Sequence, residues 1–206
     1  MKLIKLVSFP LELLFTITFL GTFFQSCEPD DCEDKNVVPC DTCIRVLKPN
    51  IYIYPEEEIL LSVSLDFPQG GEVIASIPDY GNGWDVNVET SGRIDGKYDY
   101  LFYESNQPDV WQMEKGWCLK KENLAEFFTN NLTVYGFEGQ EIENFIEYWG
   151  PRFNTANYYL IYPQTNTLID NVIELNFSEK PDNVLRLFYL VKEIDIDISE
   201  DLEIPE

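Results

Sequence analysis

Ile59-Leu60-Leu61-Ser62-Val63-Ser64-Leu65-Asp66-Phe67 places Leu61, Val63, Leu65 and Phe67 on one side and Ser62, Ser64 and Asp66 on the other. A period of two marks a half-buried strand, because successive side chains leave a pleated backbone on opposite faces. The same texture extends outward from this segment. Ile51-Tyr52-Ile53-Tyr54 precedes it and stops at Pro55; Pro68-Gln69-Gly70-Gly71 turns the chain after it. Residues 73–77 follow, ended by Pro78, and then Trp84, Val86 and Val88 alternate with Asp85, Asn87 and Glu89. An aromatic strand is predicted over 98–104, after a turn at Asp95-Gly96. Short strands at roughly ten-residue spacing predict an antiparallel meander.

The period then changes. Leu124, Phe127, Phe128 and Leu132 recur at helical spacing before Gly136, and Ile142, Phe145, Ile146 and Trp149 do so before Gly150-Pro151. Two helices with a short glycine-containing link predict a helical hairpin whose apolar stripes lie on the sheet. Strand character resumes at 158–162 and 172–177. The nearly unbroken apolar run 184–191 suits a central strand buried on both faces. The fold class expected is α+β: an antiparallel β-rich sheet or sandwich with a two-helix insertion packed on it. The organisation expected is a leader at 1–26, an acidic cysteine-containing linker at 27–44, one domain at 45–194 and an acidic, fraying tail at 195–206.

Among 206 residues there are 14 Lys+Arg, 37 Asp+Glu and no histidine, a formal charge of −23. Such a surface repels phosphate backbones, so nucleic acid is not an expected partner. With 15% aromatic residues the chain is not a disordered acidic tail. The absence of histidine removes Ser-His-Asp and Cys-His catalysis and His-dependent metal sites. No phosphate-binding glycine loop is present, and no cofactor or metal is implied. Asp195, Asp197, Ser199 and Glu206 echo a calcium loop, but Glu200 stands where the sharp turn needs glycine.

The first residues read as a targeting segment. Lys2 and Lys5 open it, an apolar stretch over 13–24 follows, and Phe24-Gln25-Ser26-Cys27 closes it. The stretch is shorter than the ~20 residues of a membrane-spanning helix. This segment resembles a bacterial lipoprotein precursor of Bacteroidota type. The resemblance implies cleavage before Cys27, acylation of that cysteine and anchoring to the outer membrane. Glu28, Asp30, Asp31, Glu33 and Asp34 crowd the new N-terminus, similar to a surface-export signal in that class; a merely solvated acidic linker explains them as well. The anchor is physically sufficient, since two or more acyl chains hold a protein stably at a bilayer.

Cys32, Cys40, Cys43 and Cys118 remain. Outside the cytoplasm disulfides are the default, and four cysteines permit three connectivities. A bridge within the linker, or from it to Cys118, is expected; a free buried Cys118, a four-thiolate zinc site and a redox pair at Cys40-Asp41-Thr42-Cys43 are the alternatives.

Lys48-Pro49-Asn50-Ile51-Tyr52-Ile53-Tyr54-Pro55 resembles the opening of a family of secreted bacterial proteins, with later matches at Tyr100-Leu101-Phe102-Tyr103-Glu104 and Phe145-Ile146-Glu147-Tyr148-Trp149-Gly150-Pro151. That resemblance implies domain limits and no chemistry. From the residues themselves, catalysis could only be carboxylate chemistry, and glycoside hydrolysis would call on Glu104 and Glu147. A binding role would use aromatic faces at Tyr103 and Trp149, with Tyr148 and Tyr158 beside them. Arg152 is a rare cation able to fix an acid. The function expected is a surface-anchored binding or envelope-accessory module for a glycan or an envelope protein, held to the membrane by its lipid. A carboxylate hydrolase and a purely structural envelope component are the alternatives.

Overall fold

Residues 184–191 do form a strand buried on both faces, and the whole architecture follows from it. The computed structural model describes residues 3–10, 43–198 and 202–205. Its strands are β1 (Leu3–Pro10), β2 (Cys43–Tyr54), β3 (Ile59–Asp66), β4 (Glu72–Ile77), β5 (Trp84–Val88), β6 (Leu101–Pro108), β7 (Trp117–Lys120), β8 (Tyr158–Thr165), β9 (Glu174–Phe177) and β10 (Val184–Ile194). Its helices are α1 (Leu124–Tyr135), α2 (Gln140–Trp149) and the short α3 (Asn166–Asp170). The class is α+β. A seven-stranded sheet runs β4-β6-β2-β1-β10-β8-β7, and a three-stranded sheet runs β5-β3-β9.

Along β10, Phe188 and Leu190 enter the core shared with the small sheet, whereas Leu187, Tyr189 and Val191 enter the core under α1 and α2. β8 repeats the rule: Leu160 and Tyr162 face one way, Tyr159 and Ile161 the other. The large sheet is thus the middle of three layers. The predicted 59–67 strand supplies Leu61, Val63 and Leu65 to the inter-sheet core, opposite Val46, Ile51, Ile53 and Leu101.

The helical hairpin forms where its spacing predicts. Leu124, Phe128 and Leu132 are the buried face of α1. Gly136 stops that helix at φ 98°, with its N–H bonded to Thr133 and the Phe137 N–H to Leu132. This double bond pattern satisfies the last carbonyls and needs a left-handed residue, which glycine adopts without a Cβ penalty. Buried Phe137 then ties the turn to the core. Phe128 lies 5.1–5.6 Å, ring to ring, from Phe127, Phe145, Phe153 and Tyr189, in a continuous aromatic layer.

The meander expectation is corrected. β2, β3, β4 and β5 follow one another in sequence, yet β2 and β4 belong to the large sheet and β3 and β5 to the small one. Alternation states that a strand has a buried face; it does not state which neighbour supplies its hydrogen bonds. β7 was not predicted, and the aromatic strand begins at Leu101 rather than 98 because Tyr98 is used in a turn pairing with Ile94. The tail expected to fray is docked in part: Ile198 and Leu202 pack on the inter-sheet core, and Gly116 donates to the Glu203 carbonyl. Cys27, Cys32 and Cys40 lie outside the described residues, as does the side chain of Cys43.

Candidate functional site

The aromatic candidates are placed by burial. Tyr103 is 0% exposed in the inter-sheet core and Trp149 2% exposed under the helices, so neither offers a surface to a ligand. This corrects the expectation of stacking faces at these two positions. β6 alternates, and Tyr103 falls on its inward side. Trp149 sits two turns along α2 from Glu141 and one from Phe145, on the stripe that meets the sheet. Burial pushes the Tyr103 hydroxyl up to about 12, with the charge of Arg186 pulling the other way. Trp149 floors a cleft of about 190 Å³ between α1 and α2, beside Phe128, Phe145 and Phe153.

Glu104 is buried and accepts hydrogen bonds from Nε of Arg45 at 3.1 Å and from its Nη2. Both bonds fall on one carboxylate oxygen, Oε2, and the pair ties β2 to β6. Glu147 is exposed on α2, and among the described residues no hydrogen bond or ion pair holds it. Cys118 carries a free thiol, half-buried. Burial and the Asp197 carboxylate raise its pKa, while a backbone hydrogen bond from Ile198 opposes them.

Sequence reading missed two cations that the fold makes conspicuous. Lys48 stands at φ 59° inside β2, at an irregularity where pairing with β6 shifts between Val46 and Asn50. A non-glycine residue in that region costs on the order of 1 kcal/mol or more and persists only where its surroundings impose it. The irregularity carries the Lys48 ammonium over three rings, 5.0 Å from the centroid of Tyr100, 4.7 Å from Phe102 and 5.1 Å from Tyr148. It also donates to the Tyr100 hydroxyl at 3.2 Å. Arg152 covers the same Tyr148 ring at 3.6 Å and donates to the Tyr148 carbonyl. Lys48, Tyr100, Phe102 and Tyr148 are half-buried and Arg152 is exposed. Among the described residues neither cation makes an ion pair with a carboxylate, although the chain carries 37 acids. Arg152 was singled out from sequence; Lys48 could have been found as the one basic residue among the apolar and aromatic residues of 46–54.

Behind this patch lies a polar seam joining α2 to β2. Asn144 and Asn50 donate to the Tyr52 hydroxyl at 2.9 and 3.3 Å, and the Tyr54 hydroxyl donates to Glu141 at 2.9 Å. Burial drives Tyr52 up to about 12, its two amide hydrogen bonds partly offsetting the shift. Burial and the neighbouring Glu141 charge raise Tyr54 as well. The seam fixes α2, and so Tyr148, relative to the Lys48 irregularity.

The second cation is Arg186, fully buried in β10. Its Nη1 donates to Asp170 and, at 2.6 Å, to the Ile173 carbonyl. It interrupts an otherwise apolar run and ties α3 to the sheet, a structural role.

A polar groove of about 550 Å³ crosses the outer face of the small sheet, lined by Ser62, Ser64, Asp85, Asn176 and Ser178. Its groups are largely spent on one another: Ser62 with Asp85 and Ser178, and Asn176 with Asp66. At the Lys48–Tyr148–Arg152 patch, by contrast, the rings are half-open and the two cations make no ion pair among the described residues. Comparison with protein-family models, with curated proteins and with solved structures finds no match to this chain.

Proposed function

We propose that this protein is a surface lipoprotein, acylated on Cys27, whose folded domain binds an anionic glycan across the Lys48–Tyr148–Arg152 patch. The anchor rests on the leader pattern ending Ser26-Cys27, and the acidic segment 27–42 serves as the tether. The binding reading rests on one observation: two cations cover one tyrosine ring without a carboxylate partner among the described residues, on a strongly acidic chain. A sugar ring stacks on an aromatic face, and a uronate or sialate carboxylate accepts from guanidinium or ammonium. The acidic surroundings reject polyanions at large and confine attraction to the patch.

The test is an array of neutral and acidic glycans probed with the lipid-free protein, followed by calorimetry on the best binder. Arg152→Gln and Lys48→Met should each weaken an acidic glycan by at least about tenfold, since a hydrogen bond to a charged group contributes ~1.5–3 kcal/mol. Binding should fall as salt rises. Equal binding of neutral and acidic glycans, or indifference to both substitutions, rejects the proposal.

A further inference from the structure

β1 sits in the middle of the large sheet. It runs parallel to β10, with Ile4 opposite Val184 through Ser8 opposite Phe188, and antiparallel to β2, with Leu3 opposite Tyr54 through Pro10 opposite Val46. β2 and β10 are not neighbours; β1 alone joins them. Yet β1 lies wholly within the leader that cleavage before Cys27 would remove. Cleavage would divide the sheet into β4-β6-β2 and β10-β8-β7 with a one-strand slot between them.

We propose that the mature domain holds an open slot between β2 and β10 that accepts a β-strand donated by a second polypeptide. This rests on the lipoprotein reading above. The slot supplies two of the requirements for strand addition: rows of backbone donors and acceptors on both sides, and pockets for alternate side chains. On the inter-sheet side its walls are Ile51, Ile53 and Phe188, all fully buried, so a donor needs aliphatic residues at alternate positions over at least the stretch pairing with 184–188. The donor is uncharged or basic, since the domain is acidic and the segment seated there carries Lys5 and no acid. The chain's own segment 27–42, with six acids and two prolines, does not have this chemistry. The unfilled slot would expose its apolar walls and hydrated strand edges to water, and their burial by a donated strand supplies the driving force for capture.

The experiment uses native protein extracted in detergent, with the synthetic peptide Leu3–Pro10 as probe. Intact mass is read first. A chain that still begins with its leader refutes the lipoprotein reading, and the slot with it. With the leader gone, hydrogen exchange by mass spectrometry should show the amides of 51–54 and 184–188 exchanging at least tenfold faster than those of β8. Adding the peptide should restore their protection, and a Val7→Pro peptide should not, because proline removes a ladder donor. As a second measurement, fusing residues 3–10 through a long Gly/Ser linker after Glu206 should raise the melting temperature of the mature chain. Protected 51–54 and 184–188 amides without any peptide would mean that β2 and β10 close directly on each other. That result, or peptide addition without effect, overturns the slot while leaving the anchor intact.

Discussion

The two faces of the large sheet are built from different side chains. Toward the small sheet the core is mainly aliphatic: Val46, Ile51, Ile53, Leu61, Val63 and Leu65, with one buried guanidinium at Arg186. Toward the helices it is mainly aromatic: Phe128, Phe137, Phe145, Trp149, Phe153, Tyr159 and Tyr189. Branched aliphatic chains interdigitate well between two pleated surfaces. Rings fill the more irregular space between a cylinder and a sheet, and they contact edge to face. The difference bears on the proposed binding surface because an aromatic layer does not end sharply. At its margin Tyr100, Phe102 and Tyr148 stay half-open, and there Lys48 and Arg152 lie over the rings.

The largest test of this contrast is Phe128→Ala. It opens the centre of a four-ring contact and should cost about 3–5 kcal/mol in denaturant unfolding, whereas Phe128→Leu keeps most of the volume and should cost far less. Equal losses would mean that ring geometry, and not filled volume, holds the helical layer.

Alkaline stability probes both faces at once. Tyr103 in the inter-sheet core and Tyr52 in the helix-side seam are each raised by burial to about 12, against 10 in the unfolded chain. A raised folded value means stability that is complete below pH 10 and lost as pH climbs toward 12. Denaturant midpoints should therefore fall steeply over that interval, and Tyr103→Phe should flatten the fall. An unchanged pH profile in that variant would remove Tyr103 as a source.

Arg186→Met should cost about 1–3 kcal/mol, because it leaves the buried Ile173 carbonyl without its donor. An unchanged denaturant midpoint would show that the aliphatic face does not depend on its guanidinium. Gly136→Ala should give the smallest effect, about 1 kcal/mol, by forcing a Cβ into the left-handed turn that ends α1. Thermal melts would register it as a fall of a few degrees.

Several elements were legible because local chemistry marks both their period and their ends. The helix ending before Gly136 and the one ending before Gly150-Pro151 have apolar stripes and explicit stops, and α1 and α2 match them. Trp84–Val88 matches the expected alternation, ending one residue before Glu89. β7, Trp117-Cys118-Leu119-Lys120, was not legible, because four mostly apolar residues have no period to read. The patch was half legible: Arg152 is rare in composition, whereas the role of Lys48 depends on an irregularity that exists only once β2 meets β6.

The residues 3–10 show the division most sharply. From sequence they open a leader; in the fold they form the strand between β2 and β10. Sequence alone determined the α+β class, the helical hairpin and the doubly buried 184–191 strand, since periodicity and stop residues act within a few positions of the chain. Tertiary structure alone decided which sheet each strand joins, that Tyr103 and Trp149 are core while Tyr148 stays half-buried, and that Lys48 and Arg152 meet over one ring. Those outcomes depend on pairings between segments distant in sequence, whose energies no local pattern encodes.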